Sequence, residues 1–342
     1  MTDLINRQIV LKSRPVGAPT ESNFELIDSS VPEPSEGQFL ARTIYLTVDP
    51  YMRGRMSGLK TYIDPQPVNA VMQGGTVSQV IKSRHGKFSE GDFLLGFDGW
   101  QEYAVSDGKG AQKLDPLKGS LSLALGVLGM PGLTAYSGLL DMGKPKAGET
   151  VVVSAAAGAV GSVVGQIAKI KGCRAVGFAG SAEKCQIVKK EFGFDACINY
   201  KTENLHDALR IACPQGIDVY FDNVAGDILD AVLQQINVGA RIPLVGMISQ
   251  YNAVEPPPGP NLLPVLIKRA TIQGFIVSDH FNRMPEFLRD VSQWIKEGPL
   301  KYREHLVHGI DEAPRAFLGL FRGENVGKVI VQVSDDPHRL AS

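Results

Sequence analysis

The segment that most restricts the fold runs from residue 150 to 165 and reads Thr-Val-Val-Val-Ser-Ala-Ala-Ala-Gly-Ala-Val-Gly-Ser-Val-Val-Gly. Three consecutive valines form too short a run for a helix. They suit a strand buried on both faces, as strands inside a parallel sheet are. The residues that follow are small enough for a tight turn. Val160, Val163, Val164 and Ile167 then recur at helical spacing. Small side chains let a turn's backbone approach a ligand, and the N–H groups at a helix start favour an anion. Strand, turn and helix together predict a dinucleotide site, with Gly158, Ala159, Val160 and Gly161 at the pyrophosphate. Gly165 is expected to permit close helix–strand packing.

The pattern around this segment repeats. Strands are expected at 173–179, 196–199, 218–221, 241–247 and 271–277, and helices at 159–171, 182–192, 204–212 and 227–236. Alternation of this kind implies a parallel sheet with right-handed crossovers. Before residue 126 the reading is different. Short strands at 7–12, 38–48, 71–81, 91–97 and 101–105 are separated by glycines, which suggests a compact, barrel-like β domain. A helix is expected at 128–142. The tail has strands at 302–308 and 326–333 and a helix at 313–321, and is expected to return to the first domain. The fold class is therefore α/β, with a β-rich domain of residues 1–127 and 300–342 and a dinucleotide-binding domain of residues 128–299.

Composition narrows the partners. The net charge of −1 gives no field that would attract nucleic acid or an anionic membrane. No apolar run approaches the ~18 residues of a membrane span, and the first residues lack a signal peptide's basic start and apolar block. Cys173, Cys185, Cys197 and Cys213 include no Cys-x-x-Cys pair. They are expected to be free, partly buried thiols in a cytoplasmic protein.

The end of the second parallel strand distinguishes the two nicotinamide dinucleotides. An NAD site places a carboxylate about 20 residues beyond the glycines, where it accepts bonds from the ribose hydroxyls. Here that place holds Gly180-Ser181, followed by Ala182, Glu183 and Lys184. Ser181 is a donor and Lys184 a charge for a 2′-phosphate, with Glu183 expected on the solvent side of its helix. The cofactor expected is NADP(H).

From these residues onward the chain resembles the zinc-independent medium-chain dehydrogenase/reductases, within them the prostaglandin, plant alkenal and bacterial curcumin reductases. The likeness lies in residues 48–56, 129–136, 155–161, 180–185, 198–201, 222–224, 246–252, 256–260, 274–277 and 323–328. It implies a GroES-like catalytic domain formed by both chain ends around a Rossmann domain. It also implies that Lys184 and Tyr200 contact the 2′-phosphate and that Asn223 lies near the adenosine. Around the ribose and nicotinamide it implies Gly246, Met247, Ile248, Ser249, Tyr251, Asn252, Phe275, Ile276, Val277 and Asn325. Self-association through the sheet edge near 271–277, into a homodimer, is a further implication. One departure is Ala225, before Gly226, where relatives carry Gly-Gly; its extra methyl is expected to be tolerated. Glu324, where a lysine is common, is the other.

Zinc-dependent relatives bind their metal with Cys, His and Glu or Cys. Here no cysteine precedes Cys173, His85 is the only histidine in the first 200 residues, and Gln73-Gly74-Gly75 stands where such relatives have Gly-His-Glu. No metal site is expected. Without a Lewis acid an alkoxide is hard to stabilise, whereas hydride addition to an enone or enal needs only hydrogen-bond donors at the carbonyl oxygen. Tyr251 and Tyr51 are the candidate catalytic donors. With the weaker candidate Tyr62 they are also the expected substrate contacts. A quinone reductase and a non-catalytic nucleotide-binding protein are the alternatives, since fold alone does not separate them.

Overall fold

The computed structural model describes residues 4–338, with the Lys118 side chain left aside. Within it the chain forms two compact units. One comprises the chain up to Leu125, Glu304–Asn325 and the segment from Val329 onward. The other comprises Gly126–Arg303 and Val326–Lys328.

The first unit begins with an antiparallel pair, β1 (Ile5–Leu11) and β2 (Phe24–Ser30). The second of these carries no readable pattern, because Phe24 alone of its seven residues is buried. Next come β3 (Phe39–Thr47), the short helix α1 (Met52–Met56), β4 (Thr76–Ser83), β5 (Phe93–Gly96), β6 (Tyr103–Ser106) and β7 (Gln112–Leu114). β3 is central and almost wholly buried, pairing with β4 and β6. Trp100 is fully buried, and its indole N–H donates to the Thr47 carbonyl at 3.2 Å.

The second unit opens with α2 (Met130–Ser137), which continues into a π-helical turn over Gly138–Gly143. The single helix expected at 128–142 is thus two structures. Glycines explain the close packing here: a Cβ on Gly138 would lie 2.8 Å from the Phe221 ring, and one on Gly143 3.0 Å from Val219. Then β8 (Thr150–Val153), α3 (Gly161–Ile170), β9 (Arg174–Ala179), α4 (Ala182–Lys190), β10 (Ala196–Asn199) and α5 (Leu205–Ala212) alternate. β11 (Ile217–Phe221), α6 (Gly226–Leu233), β12 (Ile236–Leu244), α7 (Leu263–Lys268), β13 (Thr271–Gly274) and α8 (Met284–Glu297) complete it. The strands are all parallel and lie in the order β10-β9-β8-β11-β12-β13. This is the doubly wound order, which reverses direction between β8 and β11, where such sheets open a crevice at their carboxyl ends.

Two strands stop earlier than their sequence suggests. β12 ends at Leu244 because the next two N–H groups, of Val245 and Gly246, both donate to the Asp222 carbonyl. β13 ends at Gly274, after which Phe275 still donates to Leu244 but Val277–Arg283 winds into a 3-10 helix. α7 and α8 escape a sequence reading because few of their residues are buried: none in α7, and Phe287 and Val291 in α8.

The tail joins the first unit. β14 (Glu304–His308), α9 (Ala313–Arg322) and β15 (Lys328–Gln332) follow α8, and the first unit's large sheet runs β14-β15-β3-β4-β5-β7. Ile330 pairs with Thr47 and Gln332 with Tyr45.

Candidate active site

The turn after β8 is built from its own backbone. Ala155 adopts a positive φ of 51°, Ala156 donates to the Phe178 carbonyl at 2.8 Å, and Gly158 donates to Ala155 at 2.9 Å. A Cβ on Gly161 would sit 2.3 Å from the Ala155 oxygen, so the turn itself demands that glycine. Gly158 is different: an added Cβ would meet only Ala155 O, at 3.2 Å, and is otherwise open. No side chain caps the start of α3, whose N-cap is Val160. An uncapped helix start above a buried strand is suited to an anion. Gly327 donates to the Ala157 carbonyl at 2.7 Å and pairs with Gly158 as a short parallel bridge. Gly165 packs against a ring rather than a strand: its Cβ would fall 1.8 Å from Phe194, which also abuts Gly177 of β9.

At the ends of β9 and β10 the structure brings together Gly180, Ser181, Tyr200 and Lys201. A Cβ on Gly180 would lie 2.9 Å from the Tyr200 hydroxyl and 3.3 Å from Lys201 Cε. Ser181 is the N-cap of α4, its Oγ accepting from Lys184 N–H at 3.2 Å. Its acceptor capacity is thus used locally, while its hydroxyl proton suits an incoming phosphate. Glu183 is exposed, as expected. Lys201 is a basic residue that sequence reasoning missed; its position directly after Tyr200 was the available signal.

Across the reversal point, the loops after β11 and β12 are joined. Ile248 donates to Asn223 O at 3.3 Å, and Ser249 to Val224 O at 3.2 Å. Asp222 organises this region. Its Oδ1 accepts from Ser154 Oγ, Tyr220 Oη, Val224 N and Ala225 N at 2.8–3.1 Å. Burial pushes its carboxyl above the usual range, with these donors opposing the shift. Asn223 donates from both its backbone and its side chain to Ser154, at 2.8 Å each. Ala225 lies at φ 62°, ψ −150°, a region that glycine alone visits readily. Its methyl is accommodated at a backbone cost of about 1–3 kcal/mol.

Tyr251 Oη accepts from Met247 N–H at 3.3 Å, and its own proton meets no acceptor among the described residues. Burial pushes this phenol above its ordinary range, with the Met247 bond opposing. Gly246, Met247 and Tyr251 therefore form one compact loop. Phe275 is buried with its ring stacked on His280 at 4.7 Å, so its side chain serves the core. Ile276 and Val277 follow it, half-buried, at the start of the 3-10 helix. Asn252 is half-buried beside Tyr251 in sequence, and Asn325 belongs to the other unit, in the loop after α9.

In the first unit Tyr51 caps α1, and burial holds its phenol well above the usual range, reinforced by Asp49 and opposed by Arg55. Tyr62 contributes to the same environment while remaining 62% exposed. Arg55 is buried, donating to the Asp64 carbonyl at 3.0 Å and to the Gln73 side chain. The sequence gives little sign that this arginine is internal. Next to Gln73, a Cβ on Gly74 would lie 3.0 Å from both Met52 Cε and Trp100 Nε1. A histidine at that position has no room. Among the described residues no group of three or more His, Cys, Asp or Glu side chains is placed to hold a metal ion. The residues present do not fit a zinc site.

Two family models match the chain: an N-terminal domain of oxidoreductase over residues 7–114, and a zinc-binding dehydrogenase over residues 159–293. The NADPH-dependent curcumin reductase of Escherichia coli is 50% identical over 337 residues, covering 97% of this chain and 98% of that one. The NADP(+)-dependent 2-alkenal reductase of Nicotiana tabacum is 42% identical, covering 97% and 98%. The crystal structure of CurA from Vibrio vulnificus in complex with NADPH superposes with a TM-score of 0.92 at 52% identity, covering 96% of this chain and 100% of that one. With its doubly wound sheet, its β-rich unit built from both chain ends and this likeness along nearly its whole length, the chain belongs to the medium-chain dehydrogenase/reductases, in the group of the curcumin and 2-alkenal reductases.

Proposed function

We propose that this protein reduces the C=C bond of α,β-unsaturated ketones and aldehydes, curcumin-like compounds included, with NADPH as reductant. The chain's residues fit that cofactor. The uncapped start of α3 with Gly158 suits the pyrophosphate. Ser181, Lys184, Tyr200 and Lys201 suit the 2′-phosphate, at a strand end that carries no carboxylate. Asn223, Met247, Ile248, Ser249, Asn252, Phe275, Ile276, Val277 and Asn325 are assigned to the rest of the cofactor. When bound, NADPH supplies a hydride to the β-carbon of the substrate.

The chain's own task is to stabilise the charge that then gathers on the substrate's carbonyl oxygen. A well-placed hydrogen-bond donor there is worth roughly 3–4 kcal/mol. The observation that carries the reading is Tyr251: Met247 N–H holds its hydroxyl, and burial keeps the phenol protonated and able to donate. In the β-rich unit, Tyr51 and Tyr62 are assigned to substrate contact, Tyr51 likewise holding its proton. The curcumin reductase of E. coli and the 2-alkenal reductase of tobacco support the same reaction.

The experiment is NADPH oxidation with enals, enones, curcuminoids and quinones, with product masses measured. A gain of two hydrogens at the C=C bond is expected. Turnover of quinones alone would replace this reading with a quinone reductase, and no turnover with a binding protein.

Two further assignments belong to this reading. The chain pairs with a second copy along β13, an exposed sheet edge near the exposed Leu263, Leu266 and Ile267 of α7. It works in the cytoplasm, which its four free thiols support. No helix among the described residues is long and apolar enough to cross a membrane.

A further inference from the structure

Four free cysteines lie in the dinucleotide-binding unit, and two of them touch. Cys185 Sγ and Cys197 Sγ are 3.2 Å apart. A disulfide needs about 2.05 Å, so the two sulfurs must approach by about 1.2 Å to bond. Cys173, by contrast, donates to the Lys146 carbonyl. Cys185 is buried on α4 and Cys197 half-buried on β10, and the Cys197 thiol donates to the Cys185 sulfur.

The placement of the pair gives it a consequence. Cys185 follows Lys184 directly and lies four residues after the N-cap Ser181, while Cys197 lies three residues before Tyr200 on the adjoining strand. We propose that Cys185 and Cys197 form a dithiol that peroxide slowly closes to a disulfide, and that closure draws α4 onto β10 and weakens the grip on the 2′-phosphate. The effect on the cofactor rests on the reading of Ser181, Lys184 and Tyr200 given above; formation of the bond does not.

The chemistry balances with hydrogen peroxide as oxidant. One of the two sulfurs attacks the peroxide, the O–O bond breaks, and a sulfenic acid and one water result. The other sulfur then attacks that sulfenic sulfur, the S–S bond forms as the S–O bond breaks, and a second water leaves. Two thiols lose two electrons and two protons, and the peroxide is reduced to two waters. Burial pushes both thiols up, so the resting pair is the reduced one and oxidation is slow. Linkage supplies a reciprocal: if the disulfide weakens NADPH binding by some factor, bound NADPH disfavours the disulfide by the same factor.

The test treats the full-length protein with hydrogen peroxide, maps its peptides by mass and measures KM for NADPH and for NADH with one enone. Expected are a Cys185–Cys197 cross-linked peptide lacking two hydrogens, a several-fold rise in KM for NADPH but not NADH, and reversal by dithiothreitol. Cys185→Ala and Cys197→Ser should each abolish the cross-link and the KM response. Oxidation of Cys197 to sulfinic acid without cross-linking overturns the proposal, as does a cross-link that leaves KM for NADPH unchanged. If Lys184→Ala weakens NADPH and NADH alike, the 2′-phosphate reading falls with the KM response, while the cross-linked peptide still decides whether the dithiol exists.

Discussion

In the proposed reaction Tyr251 is the donor at the carbonyl oxygen and Lys184 a charge at the 2′-phosphate. Tyr251 has one protein partner, Met247 N–H, and a proton that meets no acceptor among the described residues. Tyr251→Phe removes that donor together with the acceptor of the Met247 N–H. Turnover of an enone should fall roughly 10²–10³-fold with KM for NADPH within about twofold; steady-state kinetics check this, and unchanged turnover removes Tyr251 from the mechanism. Lys184→Ala and Lys201→Ala each delete a charge at the ends of β9 and β10. A charge-assisted hydrogen bond is worth about 1.5–3 kcal/mol, so each substitution should raise the NADPH dissociation constant roughly tenfold or more while NADH moves less than about twofold. Fluorescence titration with both dinucleotides decides it, and equal weakening sinks the assignment. Lys184 is proposed from sequence because it follows a strand end lacking a carboxylate. Lys201 has only its place after Tyr200 to mark it in sequence; the folded backbone sets its stem beside Gly180.

At the scale of elements, the strand–turn–helix unit depends on a ring that the local sequence does not include. Phe194, from the loop before β10, fills the space that Gly165 of α3 and Gly177 of β9 leave open. From sequence, Gly165 is expected to permit close packing of helix on strand. The structure retains the need for a glycine and changes its neighbour. Gly165→Ala should overpack this junction by about 1–3 kcal/mol and lower the melting temperature by several degrees. Gly165→Ala combined with Phe194→Leu should recover part of the loss, and calorimetry on the three variants tests the coupling. A double variant less stable than the sum of both losses would show that the ring is not the obstacle. Strand ends were misjudged for a related reason. The runs 241–247 and 271–277 continue past Leu244 and Gly274, but hydrogen bonds to Asp222 O bend the first away and the second winds into the 3-10 helix Val277–Arg283.

For the whole molecule, chain order and spatial order differ. β14 and β15 come last in sequence and join the sheet built around β3, so the β-rich unit closes only after the dinucleotide-binding unit has been made. The six-stranded sheet leaves β13 as an edge, and long edges are usually covered. Leu266→Asp with Ile267→Asp places charge on the exposed face of α7 near it. The unsubstituted chain is expected to sediment as a dimer and the double variant as a monomer with its fold retained. A monomeric unsubstituted chain at micromolar concentration rejects this pairing.

The sequence by itself determined the class of the sheet, the glycine turn and the preference for a 2′-phosphate. These follow from periodicity, from residue size and from the absence of a carboxylate at one strand end, all local properties. Tertiary structure decided the rest. It gave Ala155 the positive φ that makes Gly161 a requirement, put Ala225 in a backbone region that resists a side chain, buried Arg55, and set Cys185 against Cys197. Each depends on backbone angles set by packing or on contacts between separate elements, and residue type and spacing alone give neither.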